Sequence, residues 1–331
     1  MRTDSDGKTE VLLVAPSFFG YGSMIAEELV RQGYNVYVVP DRISESSISK
    51  GFFRFFGSSA FSMAHNAQTR RLDGVPINPS IVIVIQGETW TERLVAWCRG
   101  QWPSAEFVFY TWDNVKNKPY APSLAMLFDR AYSFDGEDAA RHEQFTLLPL
   151  FFESSPADAE STVGSIDLSF TGTLHSDRLL VCRALLSDAP LGANINFELY
   201  VPSDMLLFLY TYVTRTISSS DMAWVSSRQI PYKVFKNILG LSRAVLDIHH
   251  PNQTGLTMRT IEVLSMGKKL VTTNHSIRYY DLYDEHRVFL LDRINPVFPP
   301  LDWIREPVHP ISESVIQKYS IDRFVMTLVG E

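Results

Sequence analysis

RAVLDIHHPNQTGLTMRTIEVLSMGKKLVTTN, residues 243–274, contains a complete strand–loop–helix–strand unit. Residues 244–248 are mostly apolar and predict a buried strand. A polar loop follows, with His249, His250, Asn252, Gln253 and Thr254. Gly255 permits a close backbone approach. A helix is expected from Leu256 to Met266, and Gly267 stops it. The next strand is expected at 270–272. In open α/β sheets ligands bind outside the carboxyl ends of strands, so this loop is the first place to look for chemistry. A helix start offers unpaired N–H groups and partial positive charge to an anion. Arg259 in the first turn can add a bidentate phosphate contact. Glu262, seven residues beyond Gly255, is placed to accept hydrogen bonds from ribose hydroxyls. His249, Gln253, Thr254, Gly255, Leu256, Thr257, Arg259 and Glu262 therefore form one candidate set for binding an anion and its attached hydroxyls.

The same alternation extends outward in both directions. In the first half, strands are expected at 11–15, 35–39, 81–85, 107–110 and 131–134, with a helix at 24–32 completing a βαβ unit. The runs at 11–15 and 81–85 are almost wholly apolar, as expected of strands covered on both faces. Residues 153–165 are small, polar and Pro-containing, which marks a linker. A second series follows, with strands at 167–171, 196–201, 244–248, 270–272 and 288–291. An amphipathic helix is expected at 321–329, either closing the second domain or crossing back to the first. The expected class is α/β: two Rossmann-like domains, 1–152 and 166–331, facing across a cleft.

Other strand ends carry further candidates. SFTGTLHSDR, 169–178, runs from a strand through Gly172 to a helix start. Thr173, His175 and Arg178 suit phosphate oxygens there; a capping loop is the plainer reading. PSFFGYGS, 16–23, brings Gly20, Tyr21 and Gly22 to the end of the first strand. Two glycines without a third are a weak dinucleotide signal, and the alternative is a turn that needs glycine for its backbone. Three acids follow first-half strands: Glu88, Asp113 and Asp135. A carboxylate at a strand end can serve as a general base towards a bound hydroxyl. Asp113, within YTWDN beside Trp112 and Asn114, is the first choice and Glu88 the second; each is also a credible capping group.

The run GLTMRTIEVLSMGKKLV resembles the donor-binding segment of GT-B-fold glycosyltransferases, in which a Gly-rich loop enters a helix whose later Glu holds the nucleotide ribose. Gly255 and Glu262 match that pattern. The acid usual eight positions before that Glu is replaced here by Thr254. YTWDNVKN and SFTGTLHSDR make the chain similar to bacterial glycosyltransferases of surface-polysaccharide and lipopolysaccharide synthesis. The resemblance implies a GT-B-like arrangement: an N-terminal acceptor domain, a C-terminal nucleotide-sugar domain, and transfer to a saccharide or lipid-linked saccharide. Such enzymes commonly work without a bound divalent ion, so no cofactor and no metal is expected. A nucleotide-sugar epimerase or hydrolase of the same architecture, and a non-catalytic nucleotide-sugar-binding protein, are the alternatives.

Composition bounds the partners. A net charge of −7 argues against a general nucleic-acid binder, because neutralising phosphates needs clustered cations. Two cysteines, Cys98 and Cys182, do not make a disulfide framework. Adjacent His249 and His250 point in different directions and do not predict a metal site. The polar start lacks a signal-peptide pattern, and no apolar run is long enough to span a bilayer; the expected location is cytoplasmic. Residues 50–71 carry four phenylalanines near one end and basic residues at both ends. They predict either peripheral contact with the inner membrane or rings packed into the core.

Overall fold

The computed structural model describes residues 7–16, 20–41, 66–153, 164–228 and 230–331, the side chains of 232 and 233 aside. The phenylalanine-rich stretch of the expected membrane segment, 50–65, and most of the expected linker, 154–163, lie outside the described residues.

Contacts divide the chain into two compact units. The first comprises Met1–Glu153, Asn252–Gly255 and Lys318–Glu331; the second comprises Ser154–Pro251 and Leu256–Gln317. The sequence reading counted 252–255 and 318–331 within the second domain, with a tail crossing back to the first as the alternative; the contacts group both stretches with the first. The reason for the tail is apolar burial. The helix Ile321–Val329 buries Ile321, Phe324, Val325, Leu328 and Val329. Phe324 meets Tyr110 edge-on at 5.0 Å and Phe151 at 4.6 Å. Burying a side chain of this size stabilises by roughly 1.5–3 kcal/mol. Arg130 then caps the helix end, donating to the Thr327 and Leu328 carbonyls at 2.9 and 3.0 Å.

Unit 1 contains strands β1 (Glu10–Ala15), β2 (Asn35–Pro40), β3 (Ile81–Ile85), β4 (Glu106–Thr111), β5 (Arg130–Ser133) and β6 (Thr146–Leu147). They form one parallel sheet in the order β2-β1-β3-β4-β5-β6. Every residue of β3 is buried, and so is all of β1 but its half-buried first residue, which explains their unbroken apolar runs. Its helices are α1 (Tyr21–Arg31), α2 (Glu92–Gln101), α3 (Ala121–Ala125) and α4 (Gly136–Arg141). Helix α1 starts at Tyr21, three residues before the expected position, after the N-cap Gly20, whose φ of 75° suits glycine. The expected strand at 131–134 lies one residue earlier.

Unit 2 contains β7 (Ile166–Thr173), α5 (Arg178–Asp188), β8 (Ile195–Tyr200), α6 (Asp204–Phe208), β9 (Val225–Ser226), α7 (Tyr232–Leu241), β10 (Ser242–Asp247), α8 (Met258–Ser265), β11 (Lys269–Thr272), β12 (Val288–Leu290), α9 (Leu301–Arg305) and α10 (Glu313–Ile316). The terminal helix Ile321–Val329, α11, belongs to unit 1. The second sheet is also parallel, in the order β12-β11-β10-β7-β8-β9. From β7 the chain proceeds outward to β8 and β9, then returns to the other side of β7 for β10. The β7–β10 pair is therefore the topological switch point, where open α/β sheets bind ligands. In unit 1 the equivalent reversal falls between β1 and β3.

No helix among the described residues is long and apolar enough to cross a membrane.

Candidate functional site

At the switch point of unit 2, two arginines converge. Arg178, the first residue of α5, donates to the Thr173 carbonyl at the end of β7 and to the Ile248 carbonyl just past β10, each at 3.0 Å. One guanidinium thus bridges both strand ends. Arg259, in the first turn of α8, donates to the Thr171 carbonyl. Both guanidiniums lie over the Phe170 ring, at 5.7 and 5.2 Å from its centroid. Burial, and then the charge of Arg259, push the Arg178 pKa down to about 10. The Asp247 carboxylate lies 3.9 Å from Arg259. Among the described residues Arg259 Nε is buried without a hydrogen-bond partner. The result is a concentration of positive charge whose cost an anion would offset.

Asp247 organises the neighbouring helix start. It is 1% exposed and accepts from the hydroxyls of Thr257 at 3.1 Å and Thr260 at 2.8 Å. Thr257 is also the N-cap of α8, accepting the Thr260 amide at 3.2 Å. The cap leaves the earliest helical amides outside intrahelical bonding, as an anion site requires. Glu262 is half-buried on the second turn of this helix. Leu256 is buried at 1% exposure and serves the core.

A third arginine, Arg293 after β12, grips Asp177 with both nitrogens at 2.5 and 3.0 Å and donates to the His249 carbonyl at 2.5 Å. His249 Nδ1 lies 2.8 Å from the Thr273 hydroxyl. Burial holds His249 near a pKa of about 4. His175 is also held near about 4, by burial first and by Arg178 second. Both imidazoles are neutral at pH 7, so each offers one donor and one acceptor. His175 faces His250 with ring centroids 6.1 Å apart.

The sequence reading missed Asp247 and Arg293. The rule that places ligands beyond strand ends covers both, because Asp247 ends β10 and Arg293 follows β12. The sequence reading put Thr173, His175 and Arg178 after one strand and His249, Thr257 and Arg259 after another; β7 and β10 pair in parallel, so both loops leave the same edge of the sheet. The two arginines were expected to face phosphate; here they bind strand-end carbonyls.

Gln253, Thr254 and Gly255, expected in the same set, are grouped in unit 1. Asp135, the N-cap of α4, accepts the amides of Thr254 at 2.8 Å and Gly255 at 2.9 Å, and also the Thr254 hydroxyl. A Cβ at Gly255 would lie 2.5 Å from the Phe134 ring. The close approach that Gly255 permits is to an aromatic side chain. Gln253 donates to Asp113 Oδ1 at 2.9 Å.

Asp113 Oδ1 also accepts the Asn114 amide and Asn117 Nδ2, each at 2.9 Å. Asn114, 2% exposed, donates to the Asn252 carbonyl and accepts the Asn117 amide at 3.0 Å. Its side chain therefore organises backbone. Glu88 is ion-paired with Lys118, and its amide donates to Asp41 at 2.9 Å. Tyr21 and Trp112 do come together, edge to face at 6.4 Å. Gly20 caps α1. A Cβ at Gly22 would sit 3.1 Å from both Ala15 and the Pro16 carbonyl, so these glycines serve the strand-to-helix turn.

No protein-family model and no curated protein sequence matches the chain. Its fold matches solved structures across nearly its whole length. UDP-GlcNAc 2-epimerase from Neisseria meningitidis, bound to UDP-GlcNAc, is similar with a TM-score of 0.54 and 11% identity, over 97% of this chain and 98% of that one. UDP-N-acetylglucosamine 2-epimerase from Rickettsia bellii gives 0.53 and 9%, over 97% and 95%. Anabaena HepE, in complex with UDP and glucose, gives 0.50 and 10%, over 97% and 95%. With two parallel six-stranded sheets and flanking helices, the chain has the two-domain α/β fold of the GT-B type.

Proposed function

We propose that the chain is a nucleotide-sugar enzyme, and specifically a glycosyltransferase of bacterial surface glycan synthesis. It would move a sugar from a nucleotide-activated donor to a saccharide or lipid-linked saccharide. The observation that carries this reading is the Arg178–Arg259 pair at the β7–β10 switch point, beside the start of α8. A diphosphate there would offset the burial and the neighbouring Arg259 charge that together lower the Arg178 pKa. As the bond to the anomeric carbon breaks, negative charge grows on the leaving phosphate. Fixed guanidiniums and helix amides stabilise that charge without reorganisation. Glu262, on the second turn of α8, is the candidate ribose ligand. The neighbours solved with UDP or UDP-GlcNAc fit a nucleotide-sugar as the ligand.

In this reading the acceptor hydroxyl attacks the anomeric carbon and passes its proton to Asp113. Because Oδ1 already accepts three hydrogen bonds, the proton would go to Oδ2. Trp112 and Tyr21 supply the aromatic surface on which a sugar face can rest.

The second reading is a nucleotide-sugar epimerase or hydrolase. The hydrogen bonding of Asp113 and the Glu88–Lys118 ion pair favour it, since both candidate bases are already engaged. Incubation with a nucleotide-sugar alone separates the two: a changed or hydrolysed sugar without acceptor selects the second. The shared ligand is tested by thermal shift against nucleoside mono- and diphosphates and their sugars, because ligand binding to the native state raises its stability. Diphosphates should raise the melting temperature more than nucleosides do. No response to any nucleotide or nucleotide-sugar rejects both readings.

A further inference from the structure

At the surface of unit 2, the turn entering β12 meets the segment that follows α9. The turn is Asp284-Glu285-His286-Arg287, and the segment is Glu306-Pro307-Val308-His309-Pro310. Prolines on both sides of Val308-His309 restrict that backbone. One ligand atom each from Asp284, His286 and His309 lies within 4.8 Å of the other two. The two imidazole rings are 4.8 Å apart between centroids, inclined at 40°.

The carboxylate is already oriented. Asp284 Oδ1 accepts the His286 amide at 2.9 Å, and Oδ2 accepts Arg287 at 2.8 Å. Each oxygen retains a further lone pair. A separate contact joins the turn to α9, the helix that leads into that segment: Trp303 Nε1 donates to the Glu285 carbonyl at 3.0 Å. The turn is also closed through its backbone, the Arg287 and Val288 amides donating to the Asp284 carbonyl at 3.0 and 2.8 Å.

We propose that Asp284, His286 and His309 form a binding site for a zinc-class divalent ion, with two imidazoles and one carboxylate as ligands. Imidazole selects zinc, copper and nickel over magnesium and calcium, which favour oxygen. Ligand atoms about 2.0–2.1 Å from a tetrahedral zinc lie roughly 3.4 Å apart. Closing from 4.8 Å therefore needs about 1.4 Å of movement, within the rotamer freedom of the exposed His286 and His309. A water completes the tetrahedron. Bound metal would fasten the lead-in of β12, the edge strand of the second sheet, to the chain leaving α9. The role is structural and is independent of the nucleotide reading.

The test uses the full chain without a histidine tag, titrated with Zn²⁺ by calorimetry and, in parallel, with Mg²⁺. One equivalent of Zn²⁺ should bind, with no Mg²⁺ response. His286→Ala and His309→Ala should each weaken Zn²⁺ binding at least 10-fold, and Asp284→Asn several-fold. Co²⁺ should give the visible absorption of a four-coordinate site, lost in the His286→Ala/His309→Ala double variant. Circular dichroism of that variant should match the native chain, since both histidines are exposed. Unchanged Zn²⁺ stoichiometry and affinity in the double variant, or no Zn²⁺ binding by the native chain, overturns the proposal.

Discussion

Arg178→Met separates a binding arginine from a structural brace. Two opposing quantities set its effect on folding. Burial and the neighbouring Arg259 lower the Arg178 pKa to about 10, which disfavours the charged side chain by about 3 kcal/mol. Against this stand its hydrogen bonds to the Thr173 and Ile248 carbonyls, each 3.0 Å. A bond from a charged donor contributes about 1.5 kcal/mol at the low end of its range, so the pair contributes about 3 kcal/mol. Methionine retains much of the aliphatic bulk and removes both quantities together. The folding free energy should therefore change by no more than about 1–2 kcal/mol. Nucleoside diphosphate affinity should fall about 10- to 100-fold, or about 1.4–2.8 kcal/mol, because one of two converging cations is gone. Binding of the uncharged nucleoside should hardly change. Urea unfolding without ligand measures the first quantity, and calorimetry with UDP, GDP, CDP and ADP beside their nucleosides measures the second. A loss of 3 kcal/mol or more in stability with unchanged diphosphate affinity would refute the reasoning and make Arg178 a strut between two strands.

Glu262→Ala should weaken nucleotide-sugar binding by about 1–3 kcal/mol at an unchanged melting temperature; equal affinities in calorimetry would remove the ribose role. Asp113→Asn can keep an acceptor oxygen where Asn114, Asn117 and Gln253 donate, so the loop should persist. Its turnover should drop roughly 10²–10⁴-fold with donor affinity nearly native, and near-native turnover would direct the search to Glu88. His249 and His175 are held near about 4 by burial, whereas a free histidine titrates near 6.5. The unfolded chain therefore binds more protons between those values. Stability is fully present above about pH 6.5 and declines as pH falls towards 4. His249→Gln should flatten that decline in urea melts taken at several pH values; identical slopes would show that His249 is not buried in its neutral form.

Much of this molecule follows from local pattern alone. Continuous apolar runs marked β1 and β3 because strands covered on both faces have no polar side. The helical period of 321–329 matched α11 because one stripe of it is buried. Thr257 and Arg259 were legible at a helix start because capping chemistry is set within a few residues. Asp247 and Arg293 were equally within reach of the strand-end rule. Contacts between residues distant in the chain were another matter. Periodicity states that α11 has an apolar face, but only the packed structure shows that Tyr110 and Phe151 cover it. Gly255 signalled a close approach, and the fold decided that Phe134 makes it. Thr254 stood where an acid was expected; tertiary structure brings the carboxylate of Asp135 to its amide and hydroxyl. Nor could spacing show that Arg178 and Arg259 share the Phe170 ring. Apolar patterning is repeated along the chain and readable within a single turn or strand. The pKa of a guanidinium depends instead on how deeply the fold buries it and which charges it places nearby.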